Sequence, residues 1–261
     1  MNTVVFLFKL LLTPLIVLAA TLVARRWGES IGGLFIALPL TSGPVSVFLA
    51  IQQGRPFAAA AANSAMLGLI PVTAFYIAYV VSARRLPWYW SALTSIFCYS
   101  AVVAGISFLS IQPWLTALLV PLVLLATVLA LGKRIGAGPL LAPPRWDLPA
   151  RMVLATALVI LITTAATTLG PLWSGLLSPF PIFTFVMVTF SQRQGGVAAV
   201  RRFIQGVSRG LFSYVAFFLV VRGLVQGTNL LLVYALATLV ALLVNGAFLA
   251  VQILRRPPVT P

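Results

Sequence analysis

The chain has 261 residues, of which 61% are hydrophobic and only 7% are charged, and its mean hydropathy is +1.11. Water-soluble domains carry about a quarter charged residues, so this composition indicates an all-α protein whose solvent is the lipid bilayer. The net charge of +15 does not indicate nucleic acid as a partner. The cations stand in twos and threes between apolar runs, as the loop charges of membrane proteins do.

The scarcity of reactive side chains argues against an enzyme. The chain has no histidine, and its only acidic residues, Glu29 and Asp147, fall in predicted loops. The chain therefore lacks the residues needed for a zinc site, a Ser-His-Asp triad or a paired-carboxylate mechanism. We expect no catalytic residue, metal or cofactor. Proton coupling through a buried carboxylate is not expected either, because no acidic residue falls inside a predicted span. A single cysteine, Cys98, excludes a disulfide within one chain.

The apolar runs predict about nine membrane-spanning helices. The first run has no basic segment before it and is too long for a signal peptide, so we expect it to be the first span. All six tryptophans lie at or near the end of a run, where the interfacial aromatic belt places them. The predicted spans cover residues 3–24, 31–51, 57–82, 88–110, 113–132, 150–169, 172–190, 200–221 and 229–253.

The distribution of cations predicts the orientation. Of the seventeen cations, thirteen fall on the side that holds the C-terminus and three on or near the other, whereas Arg209 lies inside span 8. Positive charge collects in cytoplasmic loops, so we predict an inner-membrane protein with its N-terminus outside and its C-terminus in the cytoplasm. The three on or near the outer side are Arg55, Arg222 and Lys9.

The chain matches itself without gaps at an offset of 142 residues. The residues "GGLFIALPLTSGPVSVF" fall on "SGLLSPFPIFTFVMVTF", and four glycines of the first segment fall on glycines of the second. The glycine pairs are Gly28 and Gly170, Gly33 and Gly175, Gly54 and Gly196, and Gly68 and Gly210.

One period of this repeat contains five predicted spans, so equivalent helices cross the membrane in opposite directions. The prediction is two inverted-topology repeats of four helices joined by a fifth. Residues 1–112 form the first repeat, 113–149 the linking span and a cytoplasmic linker, and 150–261 the second repeat. This arrangement resembles, at the level of architecture, that of inverted-repeat secondary transporters, and the resemblance implies a substrate site near the bilayer midplane between the halves.

Span 2 carries the motif "LPLTSGP" at its middle. Pro39 and Pro44 donate no backbone hydrogen bond and clash with the preceding turn, and Gly43 adds conformational freedom. We therefore expect the helix to open there, with Thr41 and Ser42 placing hydroxyls at the opening.

Span 7 carries the equivalent motif "SPFPIFT", with Pro179 and Pro181 between Ser178 and Thr184. Interrupted helices at corresponding places of two halves point to a transport site. We take the residues of both motifs as candidate solute ligands. The alternative is that both interruptions are packing kinks, since proline and glycine are frequent in membrane helices.

Two further pairs match across the repeat. Ser64 and Gly68 correspond to Gly206 and Gly210, and small residues at this spacing let helices approach closely, so we interpret them as structural. Asn63 corresponds to Gln205. Buried amides need partners, so these two are either contacts between helices or solute ligands, and both stay candidates for the site.

Arg209 is the cation deepest inside a predicted span, and Arg201, Gln205 and Arg209 share one helix face. An intramembrane cation is a functional candidate, and its alternative is snorkelling to the interface. Lys9 and Arg151 are equivalent across the repeat, and we expect them to anchor the chain at the two membrane faces.

The leading hypothesis is a secondary transporter that moves a small anionic or zwitterionic solute by alternating access around the two interruptions. A basic span 8 and the absence of membrane acids favour this class of solute over a cation. One alternative is a translocase for lipids or lipid-linked carriers, in which Lys9, Arg151 and Arg209 meet phosphate. Another is a non-catalytic membrane subunit or assembly factor.

Overall fold

The computed structural model describes residues 3–109, 111–132, 144–168 and 180–254, and these ranges consist of helices and turns with no β-strand. The prediction of an all-helical chain is confirmed. The helices are α1 (Thr3–Trp27), α2 (Glu29–Ile36), α3 (Ser42–Gln52), α4 (Arg55–Leu67), α5 (Leu69–Ser82), α6 (Trp88–Ser107), α7 (Pro113–Ala130), α8 (Asp147–Thr168), α9 (Ile182–Leu224) and α10 (Leu230–Leu254).

Five helices of the described ranges are long and apolar enough to cross a membrane, by length and composition: α4 with α5 as one rod, α6, α7, α9 and α10. Several of them expose large apolar side chains, which a water-soluble protein would bury. This surface is compatible with a multi-pass membrane protein. Examples are Phe97 at 72%, Leu118 at 54%, Leu231 at 82% and Leu243 at 64% exposure.

The interruption expected in span 2 lies between α2 and α3, at residues 37–41. Proline is tolerated in the first turn of a helix, where its missing N–H has no partner anyway, and Pro44 occupies that turn of α3. Pro39 precedes it in the open segment, where its carbonyl accepts a 2.9 Å bond from the Gly43 N–H. The motif therefore ends one helix and starts the next.

The largest difference from the predicted spans is at residues 191–199, which we expected to be a loop between spans 7 and 8. The chain remains helical through most of this stretch, and α9 runs over 43 residues with one interruption at Gly196. The local sequence "SQRQGG" is polar, but its side chains find partners on neighbouring helices, described below. Residues 169–179, the first part of span 7, lie outside the described ranges.

Gly54 and Gly196 adopt the same rare backbone conformation. Gly54 has φ 87° and ψ 168°, and Gly196 has φ 62° and ψ −161°. This region of the Ramachandran map is open almost only to glycine, and it reverses the chain sharply. Each glycine therefore separates a shorter helical segment from the long rod that follows it.

The short helix α2 packs directly on α9 through glycines. A Cβ on Gly206 would lie 1.9 Å from the Ser30 carbonyl oxygen, and one on Gly33 would lie 2.3 Å from the Phe203 carbonyl oxygen. A Cβ on Gly210 would lie 2.5 Å from the Ala37 Cβ. These backbones therefore touch, as the small residues of span 8 predicted.

We predict that Gly206→Ala destabilises the protein by about 1–3 kcal/mol, because the new methyl group would overlap backbone that side-chain rotation cannot move. The matched control is Gly223→Ala on the same helix, where a Cβ meets nothing within 4 Å. That variant should be neutral or slightly stabilising, since alanine favours helix over glycine. Thermal unfolding of both purified variants in detergent measures the difference, and equal midpoints would contradict the close packing.

Candidate functional site

The first interruption places Thr41 and Ser42 at the start of α3, where both side chains are half-buried. The Ser42 side chain lies near the Tyr214 hydroxyl on α9. Gly43 faces the same helix, and a Cβ there would lie 3.3 Å from the Phe217 ring. The opening in span 2 is therefore lined by the second half of the chain.

At the second interruption, Pro181 precedes the first residue of α9, while Ser178 and Pro179 lie outside the described ranges. The Thr184 hydroxyl is buried and lies 3.2 Å from the Tyr76 hydroxyl on α5. Here a tyrosine of the first half covers a hydroxyl of the second half. The two sites therefore have the same chemistry with the halves exchanged.

Sequence reasoning missed the polar side chains of α10 that hold the broken helix. The Asn245 amide donates to the Leu34 carbonyl at 3.0 Å, and the Tyr234 hydroxyl donates to the Ser46 carbonyl at 2.8 Å. Leu34 lies at the end of α2 and Ser46 lies in α3, so α10 forms hydrogen bonds to the helix on each side of the opening.

A third contact of this kind joins Gln252 to the Ser30 hydroxyl at the start of α2. Tyr234, Asn245 and Gln252 are spaced by eleven and seven residues, close to whole turns of a helix, so they share one face. All three are 8% exposed. Isolated polar residues at helical spacing within an apolar span are the signal that could have found them.

Of the two matched amides, the described contacts of Gln205 are between helices. Its side chain donates to the Leu131 carbonyl at 3.2 Å and to the Gly132 carbonyl at 3.3 Å, and Arg201 donates to Leu131 as well, at 2.9 Å. These carbonyls end α7 and have no helical donor. Gln205 and Arg201 thus cap α7, whereas the Asn63 side-chain oxygen is buried without a hydrogen-bond partner.

Arg209 is buried against other parts of the protein, at 8% exposure. Its neighbour Gly210 touches Ala37, the first residue of the opening in span 2. Arg209 therefore stands at the depth of that opening, although its neighbours on the same face, Gln205 and Arg201, cap α7.

Both acidic residues begin helices, which corrects their expected placement in loops. Asp147 is the first residue of α8 and is fully buried. Arg25 lies 2.7 Å and Arg151 3.0 Å from its Oδ2 atom, and the Gln194 amide donates to the other oxygen. The chain thus has a buried carboxylate after all, and two guanidinium groups form ion pairs with it.

Arg151, which the sequence predicted to anchor the chain at a membrane face, is buried within the protein. It is 4% exposed, donates to Gln194 at 3.0 Å and stacks over the Phe190 ring at 4.9 Å. A second ion pair stands close by. Glu29, the first residue of α2, pairs with Arg202 of α9 at 3.0 Å.

These ion pairs form one group, which we call the ionic cluster. It joins the first part of the chain, through α1 and α2, to the later part, through α8 and α9. It can hold helix ends together and release them, but within the described ranges no three histidine, cysteine or carboxylate side chains converge as a metal site requires. Its residues are Arg25, Glu29, Asp147, Arg151, Gln194 and Arg202.

Comparison with known proteins finds no match among protein-family models, curated proteins or solved structures.

We predict that Asp147→Asn lowers the free energy of unfolding by about 3–5 kcal/mol, because it leaves a buried guanidinium without its counter-charge. Glu29→Gln is the matched control. Its side chain is 24% exposed, and a partly solvated pair contributes only about 1 kcal/mol or less. Denaturant unfolding of both variants in detergent gives the two values. Similar losses for both would show that Asp147 is not the centre of the cluster.

Proposed function

We propose that this protein is a secondary transporter that moves a small anionic or zwitterionic solute by alternating access. The observation that carries the proposal is the crosswise cover of the two interruptions, Ser42 by Tyr214 and Thr184 by Tyr76. Open backbone inside a membrane is tolerated only against protein or a water-filled cavity. Paired openings covered by opposite halves are the arrangement expected of a transport site between two repeats.

The proposal includes nine spans. The 43 residues of α9 would extend about 64 Å as one straight helix, twice the hydrocarbon thickness, and the turn at Gly196 divides them into two spans. Counting α9 as two raises the five apolar helices to six. The remaining three spans are α1, the broken pair α2–α3, and α8.

Helix boundaries support a repeat with the 142-residue offset. The rod formed by α4 and α5 covers residues 55–82, and the rod after Gly196 covers 197–224. The next helices begin at Trp88 and Leu230. All three boundaries, and the glycine turns at 54 and 196, differ by 142. These helix boundaries are therefore compatible with the 142-residue offset read from identical residues.

Contacts at helix ends support inversion of the repeat. Arg25, near the end of α1, meets Asp147, the first residue of α8, so these equivalent helices run antiparallel. Arg55 at the start of α4 donates to the Gln226 carbonyl just after α9. Gln192, just before the turn in α9, donates to the Leu86 carbonyl just after α5. The two long rods are therefore antiparallel as well.

The charges near the openings support an anionic or zwitterionic solute. Arg209 brings a buried cation to the depth of the first opening, and α3 and α9 both begin at an opening, with the positive ends of their dipoles directed to it. Both carboxylates are held in the ionic cluster. A cationic solute would find no counter-charge at the openings.

In this proposal, the ionic cluster closes the cytoplasmic end of the pathway. Its residues lie at the helix ends that carry the cation-rich loops, and its pairs join α1 to α8 and α2 to α9. Opening toward the cytoplasm requires these pairs to separate. The structure described above then corresponds to the state closed on that side.

We predict that a reporter fused at the C-terminus is active as a cytoplasmic fusion and that one inserted next to Arg55 is active as a periplasmic fusion. The reason is the excess of cations on the C-terminal side. Paired phosphatase and fluorescent-protein fusions read both positions. A periplasmic C-terminus would contradict the nine-span topology and the inverted repeat together.

We predict that Thr41→Cys, made in a Cys98→Ala background, reacts with a charged, membrane-impermeant thiol reagent from either side of the membrane. Alternating access exposes a central residue to each side in turn. Right-side-out and inverted vesicles separate the two reactions. The control is Phe97→Cys, whose exposed apolar position faces lipid and should not react.

The same assay tests whether the ionic cluster closes the cytoplasmic end of the pathway. Arg25→Gln should raise the cytoplasmic reaction rate of Thr41→Cys several-fold, because it removes one ion pair of the cluster. Arg26→Gln makes the same charge change at the next residue, which contacts Trp27 rather than a carboxylate, and should leave the rate unchanged. Reaction of Thr41→Cys from one side only, both alone and combined with Arg25→Gln or Arg26→Gln, would contradict alternating access.

A further inference from the structure

Three exposed arginines gather around a tryptophan at one end of the helices. Arg84 and Arg85 lie in the tight turn after α5, and Arg193 stacks on the Trp88 ring at 5.7 Å. Gln192 fixes the arrangement by donating to the Leu86 carbonyl at 3.0 Å. The turn and the end of the first segment of α9 are therefore joined, which brings their arginines to the same end of the helices. We call Arg84, Arg85, Trp88 and Arg193 the arginine rim.

The chain has no carboxylate to neutralise the arginine rim. It carries seventeen cations but two acidic residues, and both acids pair with Arg25, Arg151 and Arg202 in the ionic cluster. An anion that binds the arginine rim therefore meets no competing carboxylate of the chain.

The surface next to the arginine rim identifies the kind of molecule. Trp90 is 54% exposed, and further along α6 Leu93 and Phe97 are exposed by 58% and 72%. This side of α6 is suited to acyl chains, and the tryptophans mark its polar boundary. A ligand that fits both surfaces has an anionic head and apolar chains. Nucleic acid offers only the first of these.

We propose that the arginine rim is a binding site for the phosphate group of an anionic phospholipid, whose acyl chains lie along the exposed face of α6. Guanidinium groups bind phosphate oxygens through paired hydrogen bonds, and tryptophan rings favour the headgroup region of a membrane. The proposal is independent of transport, since it concerns the exposed surface of the protein and uses no residue of the two interruptions.

The test is native mass spectrometry of the detergent-purified protein with an equimolar mixture of phosphatidylglycerol and phosphatidylcholine of equal chain length. The wild type should bind phosphatidylglycerol at least tenfold better. Each arginine near an anionic headgroup contributes about fivefold, so R84Q/R193Q should lose phosphatidylglycerol binding roughly 25-fold and keep phosphatidylcholine binding unchanged.

The matched control is R55Q/R222Q, which removes the same charge from the opposite end of the two long rods and should change binding less than twofold. If R84Q/R193Q proves unstable, Arg84→Gln alone replaces an exposed turn residue and should lose about fivefold. Equal losses in the two double variants, no preference in the wild type, or displacement of the lipid by millimolar glycerol phosphate would each overturn the proposal.

Discussion

The open backbone of span 2 is the constraint on which most of the structure depends. At the end of α2, the Leu38 N–H bonds to Phe35 instead of continuing the helical ladder, which leaves the Leu34 carbonyl to be satisfied from elsewhere. Lipid offers no donor, so Asn245 supplies it from a helix more than 200 residues away. The need for that donor explains why α10, an otherwise apolar helix, carries an asparagine at this position.

The same constraint interlocks the two parts of the chain. The broken pair α2–α3 is held by Tyr214 of α9 and by α10, which both come late in the sequence. The start of α9 is held by Tyr76 of α5, and Phe180 just before it packs on the Tyr99 ring of α6 at 5.4 Å. Each of these contacts therefore joins helices that lie far apart in the sequence.

The sequence is informative where structure is decided locally. Pro39, Gly43 and Pro44 fix the opening in span 2 through their own backbones, and the starts of α6 and α7 follow from Pro87 and Pro113. It is less informative where a partner is distant. "RWDLPAR" reads as a polar loop, because the burial of Asp147 depends on Arg25, 122 residues earlier. "SQRQGG" likewise reads as a loop, because the partners of its glutamines, among them Asp147, Arg151 and the turn after α5, are distant in the sequence. The polarity of a short sequence segment does not show whether its side chains contact solvent or a residue distant in the sequence.

The ionic cluster also makes the two ends of the molecule chemically unequal. At the 142-residue offset, Asp147 corresponds to Val5, and Glu29 corresponds to Pro171. The opposite end, built from equivalent helices, therefore carries no carboxylate at either place. Two like halves would close the two ends equally well, whereas here one end gains ion pairs, one of them fully buried, that the other end lacks. Separating a buried pair costs several kcal/mol unless a new partner replaces it. In the proposed transport cycle, the end that holds the ionic cluster is therefore the more costly of the two ends to open.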